Sequence, residues 1–183
     1  MVQVYTKEEQ AIRFVVKVLD NQTLKNENLH LAFHSVSVGF MLKNLGCNED
    51  VVISGILHSI LQNTEYTYDD VAEYFGKKIA KNILIIQEDN TIKDFKQRKM
   101  EWLKKIKKQS KDILLIILAD HLHYLITLYE IWKEKKENTF GNLAKDYNEQ
   151  KWYFLELEQL LTSQLEENNL LLRYQKICEI YFK

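Results

Sequence analysis

Apolar residues recur three and four positions apart along almost the whole chain, which is the period of an amphipathic α-helix. Proline is absent and glycine occurs only five times, so the residues that mark tight turns between strands are scarce. The sequence contains no internal repeat and no low-complexity tract. The pattern therefore predicts an all-α protein in which helices follow one another through short connections.

Capping residues divide this pattern into separate helices. Thr6 with Glu9, and Thr67 with Asp70, have the spacing of the capping box that begins a helix. Gly46 suits the left-handed position that ends one. In chain order, the predicted helices cover residues 6–20, 29–45, 49–61, 67–74, 77–87, 91–108, 110–136, 143–164 and 168–181.

Two of the predicted helices are apolar on nearly all sides and should form the centre of the core. They contain the runs VVISGILHSIL, residues 51–61, and ILLIILADHLHYLITL, residues 113–128. An ionised carboxylate such as Asp120 is costly to bury in such a run without a cation or several hydrogen-bond donors. Asp120 therefore needs a partner.

Histidines supply the candidate partners. His34 and His58 lie on two other predicted helices, and with Asp120 they could hold a divalent metal ion between helices. Taken singly, each histidine is better explained as a hydrogen-bonded core residue, and both interpretations stay open. His30 and His34 also have the spacing of a two-histidine zinc motif, but Leu31 stands where that motif needs glutamate.

Composition and charge limit the classes of function. Hydrophobic residues make up 46% and charged residues 28% of the chain, the balance of a soluble globular protein. The formal net charge of −1 gives no general attraction to DNA or to an anionic membrane. The sequence has neither a signal-peptide pattern nor an apolar run of about 18 residues, so we expect a cytoplasmic protein without a membrane partner. Glycine-rich nucleotide loops and a nucleophile elbow are absent as well.

One segment of the chain is strongly basic. Residues 93–111, around Trp102, could bind nucleic acid or polyphosphate, although a solvated helix face explains such a segment more simply. Cys47 and Cys178 lie far apart and have no metal-binding spacing. We therefore interpret both cysteines as apolar core residues.

The stretch from His34 through GILHSILQNT to LADHLHYL resembles the HD superfamily, and within it the RelA/SpoT-type and small alarmone hydrolases, which remove the 3′-diphosphate of ppGpp. The segments LKNLGCNEDVVISGILH, TYDDVAEYFGKKIAKNI and KWYFLELEQLL are similar to further elements of that family. The resemblance covers residues 6–165. It implies a single-domain HD-type helical bundle over residues 1–183, in which the helix at 168–182 is appended to the family-like core.

The resemblance also implies a cofactor and its ligands. In that family a manganese ion is held by a histidine, a histidine-aspartate doublet and a distant aspartate. His34, His58 and Asp120 match three of these four ligands. The implied cofactor is therefore Mn²⁺ or another divalent metal, held by an incomplete ligand set.

The catalytic carboxylates of the family are replaced in this chain. Ser59 stands at the aspartate of the doublet, and Gln62 and Asn63 stand at the acidic pair that orients and activates water. A hydroxyl is a poor substitute for a metal-binding carboxylate, and amides cannot accept a proton from water near neutral pH. The resemblance therefore implies a site in which no catalytic residue of this motif is intact.

Substrate contacts are altered too. Lys25 matches a lysine of the family, whereas Leu24 stands at the arginine that stacks on the guanine. Tyr124 stands at an asparagine that follows the last metal aspartate by four residues. Lys25 and Tyr124 are the remaining candidates for contact with a substrate.

These residues leave three functions open. The first is a degenerate alarmone-hydrolase-like protein, a pseudoenzyme with reduced or lost catalysis that binds a ppGpp-like nucleotide or a protein partner in a regulatory role. The alternative is an active Mn²⁺-dependent phosphohydrolase that acts on ppGpp or another nucleotide, with Ser59 contributing directly or through water. The third is assembly into an oligomer through the basic helix around Trp102 or through the terminal helix.

Overall fold

The computed structural model describes residues 4–23, 29–135 and 147–182. These residues form helices, and their one bridge of strand type joins Thr23 to His30 in isolation. The all-α fold class predicted from the sequence is confirmed. The helices are α1 Lys7–Val18, α2 Leu31–Asn44, α3 Glu49–Leu57, α4 Ile60–Asn63, α5 Tyr68–Phe75, α6 Lys77–Ile85, α7 Phe95–Ile106, α8 Lys111–Lys135, α9 Tyr147–Gln164 and α10 Asn169–Phe182.

The predicted helix starts are found where the capping residues stand. Thr6 forms a complete capping box with Glu9 at the start of α1, and Thr67 forms another with Asp70 at the start of α5. Gly46 follows α2 with φ of 83°, the left-handed conformation expected there. The predicted residues 143–146 of the ninth helix lie outside the described part of the chain.

One predicted helix is wrong in its length. The sequence pattern predicts a continuous helix over 49–61, but α3 ends at Leu57, and a turn at His58 and Ser59 precedes α4. Two side-chain amides hydrogen-bond to the carbonyl groups of this turn. Gln87 Nε2 donates to the His58 carbonyl at 3.0 Å, and Asn63 Nδ2 donates to the Ser59 carbonyl at 2.9 Å. All residues from 51 to 60 are buried. The apolar pattern therefore continues through the break, and nothing in it indicates that the helix ends there.

The core is arranged around α8, which packs against α2, α3, α9 and α10. The pair α2 and α3 lies especially close, because a Cβ built at Gly39 of α2 would stand 2.2 Å from Ile56 Cγ1 of α3. A side chain at Gly39 would therefore push the two helices apart. This close approach brings the inner face of α2, the end of α3 and the middle of α8 into one region of the core.

The helix α8 is long and apolar enough to cross a membrane. Over Lys111–Lys133 its best window has a mean hydropathy of 1.4, and 56% of that window is buried inside the protein. The central helix of a folded core meets the same criteria of length and composition. We interpret α8 as such a core helix, because it packs against four other helices.

Candidate metal centre

His34 lies on the inner face of α2 and is buried. Because α2 packs against both α3 and α8, a residue on this face reaches the space between those helices. His34 Nε2 lies 2.9 Å from Asp120 Oδ1 on α8 and 3.2 Å from His58 Nε2. The three ligands predicted from the sequence therefore meet at one point.

His58 projects from the turn between α3 and α4, and a hydrogen bond fixes its ring. Nδ1 lies 2.8 Å from the carbonyl oxygen of Gly55, which can only accept, so Nδ1 carries the proton. Burial lowers the pKa of His58 more than the neighbouring Asp120 raises it, so the ring is neutral near pH 7. Nε2 of His58 therefore presents a lone pair to the other two side chains.

Asp120 supplies negative charge to the group. Burial by itself would raise its pKa, but the neighbouring histidines His58, His121 and His34 outweigh burial and hold the pKa of Asp120 below its ordinary value. The carboxylate is therefore ionised near neutral pH. Asp120 Oδ1 lies 3.4 Å from His58 Nε2, so two acceptors face each other, and the single proton that can serve both is that of His34 Nε2.

The three donor atoms fit a divalent cation. They all lie within 4.8 Å of one another, at separations of 2.9, 3.2 and 3.4 Å. Ligand atoms about 2.1 Å from one ion are about 3.0 Å apart at right angles and about 3.4 Å apart at tetrahedral angles. A cation there would satisfy both the carboxylate and the lone pair of His58, which otherwise share one proton. His34, His58 and Asp120 are thus close enough to hold a metal ion.

Two of the three positions at which the resemblance implies replaced carboxylates make structural contacts. Ser59 is buried, and its Oγ lies 3.0 Å from Ser35 Oγ, in a hydrogen bond between two hydroxyl groups. Asn63 uses its side-chain amide on the Ser59 carbonyl, as described for the turn. Gln62 is exposed and lines the cavity beside His58. The side chains at 59 and 63 therefore support the turn.

A cavity of about 110 Å³ opens beside the three candidate ligands. His58, Gln62 and Asp120 line it, and Gln87, Glu88 and His121 also belong to its wall. Its volume is about that of three or four molecules of liquid water. It can therefore hold a small polar group such as a phosphate, whereas a whole nucleotide would extend beyond it.

Glu88 is a carboxylate of this cavity that the sequence analysis did not identify. It forms ion pairs with Arg98, at 3.0 Å, and with Lys99, whose side chain is 13% exposed. Burial opposes ionisation of Glu88, but the charge and hydrogen bonds of Lys99 and Arg98 prevail, and its pKa is lowered. A carboxylate held in this way is a weak proton acceptor. The pairing joins a loop to α7 across ten residues, a contact that no periodic pattern indicates.

His121 and His123 lie beside the ligand group, and each is already hydrogen-bonded. His121 Nδ1 lies 3.0 Å from the Ile117 carbonyl and Nε2 lies 2.7 Å from the Tyr153 hydroxyl, so the ring donates to the first and accepts from the second. His123 Nδ1 lies 2.9 Å from His34 Nδ1, and burial lowers the pKa of His123 to about 4. We therefore expect neither ring to be the missing ligand.

Of the two candidate substrate contacts, the structure describes one. Lys25 and the neighbouring Leu24 lie outside the described residues. Tyr124 is half-buried and stacks on Phe154, with ring centroids 6.2 Å apart. Tyr124 lies one turn along α8 from Asp120. A contact between Tyr124 and a substrate stays a prediction.

Comparison with known proteins links these residues to a family. The sequence profile described as HD domain matches residues 11–145. The chain is 28% identical over 106 residues to the guanosine-3′,5′-bis(diphosphate) 3′-pyrophosphohydrolase of Aquifex aeolicus, covering 57% of this chain and 15% of that protein. It is 24% identical over 160 residues to the bifunctional (p)ppGpp synthase/hydrolase SpoT of Escherichia coli, covering 81% of this chain and 22% of that protein. The resemblance to RelA/SpoT-type proteins is confirmed, and the chain spans about a fifth or less of the length of these relatives.

Solved structures agree with the fold. A metazoan ortholog of SpoT, which hydrolyses ppGpp, superimposes with a TM-score of 0.78 at 20% identity over 98% of both chains. A protein of Listeria monocytogenes superimposes with a TM-score of 0.75 at 23% identity, covering 82% of this chain and 99% of the other. At these identities the likeness establishes the helical architecture.

Proposed function

The chain belongs to the HD-domain family, and we propose that it is a degenerate alarmone-hydrolase-like protein with reduced or lost catalysis. In this proposal it binds a divalent metal and a ppGpp-like nucleotide and acts as a regulatory binding protein in the cytoplasm. The observation that carries the proposal is a contrast within one site: His34, His58 and Asp120 converge, while the side chains at the carboxylate positions 59 and 63 serve the turn.

Binding is supported by the retained groups. The relatives act, by their names, on guanosine 3′,5′-bis(diphosphate), whose phosphates would match a metal site with a phosphate-sized cavity. A divalent metal held by His34, His58 and Asp120 would polarise a phosphate group. The neutral ring of His58 and the ionised carboxylate of Asp120 are the protonation states that such binding requires.

Weak catalysis follows from the replaced groups. Hydrolysis of a phosphate ester needs a base that takes the proton of the attacking water. Gln62 lines the cavity but its amide has no basic site near neutral pH, and Asn63 donates its amide to the Ser59 carbonyl. Glu88 is committed to Lys99 and Arg98. Both ring nitrogens of His121 are hydrogen-bonded, and His58 and Asp120 are the candidate ligands. The described wall of the cavity therefore offers no free general base, and positioned bases typically contribute about 10²- to 10⁴-fold to the rate.

The test is to measure binding and turnover of one nucleotide separately. Manganese-loaded protein is titrated with ppGpp by calorimetry, and pyrophosphate release is followed in the same samples. We expect saturable binding that disappears in Asp120→Asn and persists in the control His30→Gln, with little pyrophosphate released. Absence of ppGpp binding to the manganese-loaded protein would overturn the nucleotide-binding role. Rapid release that depends on Asp120 would make the chain an active phosphohydrolase instead.

A further inference from the structure

The contact between His34 and His123 joins α2 to α8 on the side of His34 that faces away from the other ligands. Both rings are buried, their Nδ1 atoms are 2.9 Å apart, and their centroids are 4.9 Å apart with an interplanar angle of 60°. Two ring nitrogens at this distance form a hydrogen bond only if one carries a proton and the other does not. The protonation pattern of one ring therefore fixes that of the other.

Without a metal, the hydrogen bond to Asp120 places a proton on Nε2 of His34. His34 Nε2 lies 2.9 Å from the ionised carboxylate of Asp120 and therefore carries the proton that it donates. If Nε2–H is the one ring proton of His34, its bare Nδ1 accepts from His123 Nδ1–H. In this arrangement the lone pair of His34 points at His123, and the nitrogen that faces Asp120 is blocked by its proton.

A metal ligand needs the opposite arrangement. His34 must present the lone pair of Nε2 to the ion, so its proton must be on Nδ1, where it needs an acceptor. His123 can be that acceptor once its own proton is on Nε2. One proton passes from His123 Nδ1 to His34 Nδ1, the proton of His34 Nε2 leaves to solvent, and His123 Nε2 takes one from solvent.

His123 is placed to exchange that proton. It also lines a surface groove of about 330 Å³ between α2, α8 and α10, together with Ser37, Asn169 and Arg173. The cavity beside the candidate metal ligands is a separate space, and His123 is not part of its lining. His123 therefore stands between the ligand His34 and solvent at another surface.

We propose that His123 is a positioning residue that sets which nitrogen of His34 carries the proton and so enables His34 to bind a metal. The inference rests on the proposed function, because it assigns His123 a role at the same metal site. It gives His123 no direct bond to the metal. Its effect is carried by the Nδ1 to Nδ1 hydrogen bond, so it should depend on a polar atom at that point.

Two variants of equal size separate this role from packing. In His123→Asn the amide stands where Nδ1 stood and can still donate or accept, whereas His123→Leu fills the space without a hydrogen bond. We expect His123→Leu to weaken Mn²⁺ binding by about 10- to 100-fold, the usual effect of losing such a partner, and His123→Asn to stay within about threefold of the natural protein. The exposed His30, changed to Gln, is the control. Equal affinities for the Asn and Leu variants would overturn the proposal.

A second measurement needs no metal. In ¹⁵N-labelled, metal-free protein, the hydrogen bond should give a through-bond coupling between the two Nδ1 atoms, and addition of Zn²⁺ should move the His34 proton from Nε2 to Nδ1. Absence of the coupling would refute the role of His123 even if a variant failed to fold. If the coupling is present but no metal binds, the proposed metal site fails while the contact itself stands.

Discussion

Two groups of side chains meet at the end of α3, and they differ in what the fold requires of them. The ligand group, His34, His58 and Asp120, places a carboxylate and a lone pair 3.4 Å apart, so that the proton of His34 Nε2 serves both unless a cation binds. The turn group consists of the side chains of Ser59 and Asn63, which hydrogen-bond to Ser35 and to the turn itself. One group has the geometry of a metal site, while the side chains of the other hydrogen-bond within the fold. Metal binding and catalysis should therefore depend on different side chains of this site and can be tested separately.

The largest effect is expected from carboxylates at all three positions where the resemblance implies that they were replaced. On the proposed function, the variant Ser59→Asp, Gln62→Glu and Asn63→Asp would supply a fourth ligand and a general base. We expect it to release pyrophosphate from ppGpp about 10²- to 10⁴-fold faster than the natural protein, since that is the usual contribution of a positioned base. Release is measured by chromatography at saturating Mn²⁺.

The control for this triple variant enlarges the side chain at position 59 without adding a charge. Ser59→Asn, with Gln62 and Asn63 unchanged, adds an amide of nearly the same volume as aspartate. It should leave the rate at the level of the natural protein. An equal gain in the control and in the restored variant would contradict the role of the carboxylates.

A smaller effect is expected at Glu88. Its replacement tests whether this carboxylate, which lines the cavity outside the ligand group, has a structural role. Glu88→Gln leaves Lys99 largely buried without its counter-charge and should lower the free energy of unfolding by about 2 kcal/mol at pH 7. The pKa of Glu88 is lowered from its ordinary 4.5 in the folded state. Its contribution is therefore fully present above pH 4.5 and disappears as the pH falls through the folded pKa.

The measurement for Glu88 is urea unfolding of both proteins from pH 7 down to acid pH. The difference between them should stay constant to about pH 5 and then shrink. Metal affinity should be unchanged by Glu88→Gln. A stability difference that grows as the pH falls would contradict the stabilising role of the ionised Glu88 carboxylate.

The ligand group should show how its carboxylate and a bound metal add to stability. The pKa of Asp120 is held below its ordinary value in the folded protein, so the ionised carboxylate contributes to stability near pH 7. We expect Asp120→Asn to lower the free energy of unfolding of the metal-free protein by about 1 kcal/mol and to remove the added stability that Mn²⁺ gives to a protein that binds it. Thermal unfolding with and without Mn²⁺ measures both differences. Stabilisation by Mn²⁺ that is as large in Asp120→Asn as in the natural protein would contradict the metal-binding role of Asp120.

The smallest effect is expected in the turn group. Asn63→Ala removes the hydrogen bond of 2.9 Å to the Ser59 carbonyl and should cost about 0.5 to 1 kcal/mol. The matched control is Gln62→Ala, whose exposed side chain should contribute within about 0.5 kcal/mol. Urea unfolding of the two variants compares them directly. If Gln62→Ala cost more than Asn63→Ala, the assignment of Asn63 to the turn would be incorrect.

The fold could be predicted from the sequence where local rules decide it. The capping boxes at Thr6 and Thr67 and the left-handed residue Gly46 act within a few residues, so the sequence states them directly. The break at His58 is different, because Gln87 stabilises it from 29 positions away. An apolar run that is buried on all sides has no polar face whose interruption could reveal such a turn.

The candidate site could be predicted in part for similar reasons. His34, His58 and Asp120 stand out because a titratable group in an apolar helix must find a partner in the core. Glu88 and Ser35 do not stand out, since one lies in a polar loop and the other is a small residue that suits a helix interface. Their roles depend on contacts with Lys99 and Ser59 that only the packed structure provides.

The ligand group should bind one metal ion, and calorimetric titration of the metal-free protein with Mn²⁺ measures this without any substrate. We predict one equivalent of Mn²⁺ bound per chain, binding abolished in Asp120→Asn, and binding unchanged in His30→Gln. Failure of the natural protein to bind Mn²⁺, or equal binding by Asp120→Asn, would contradict this expectation and leave the three side chains as a hydrogen-bonded cluster of the core.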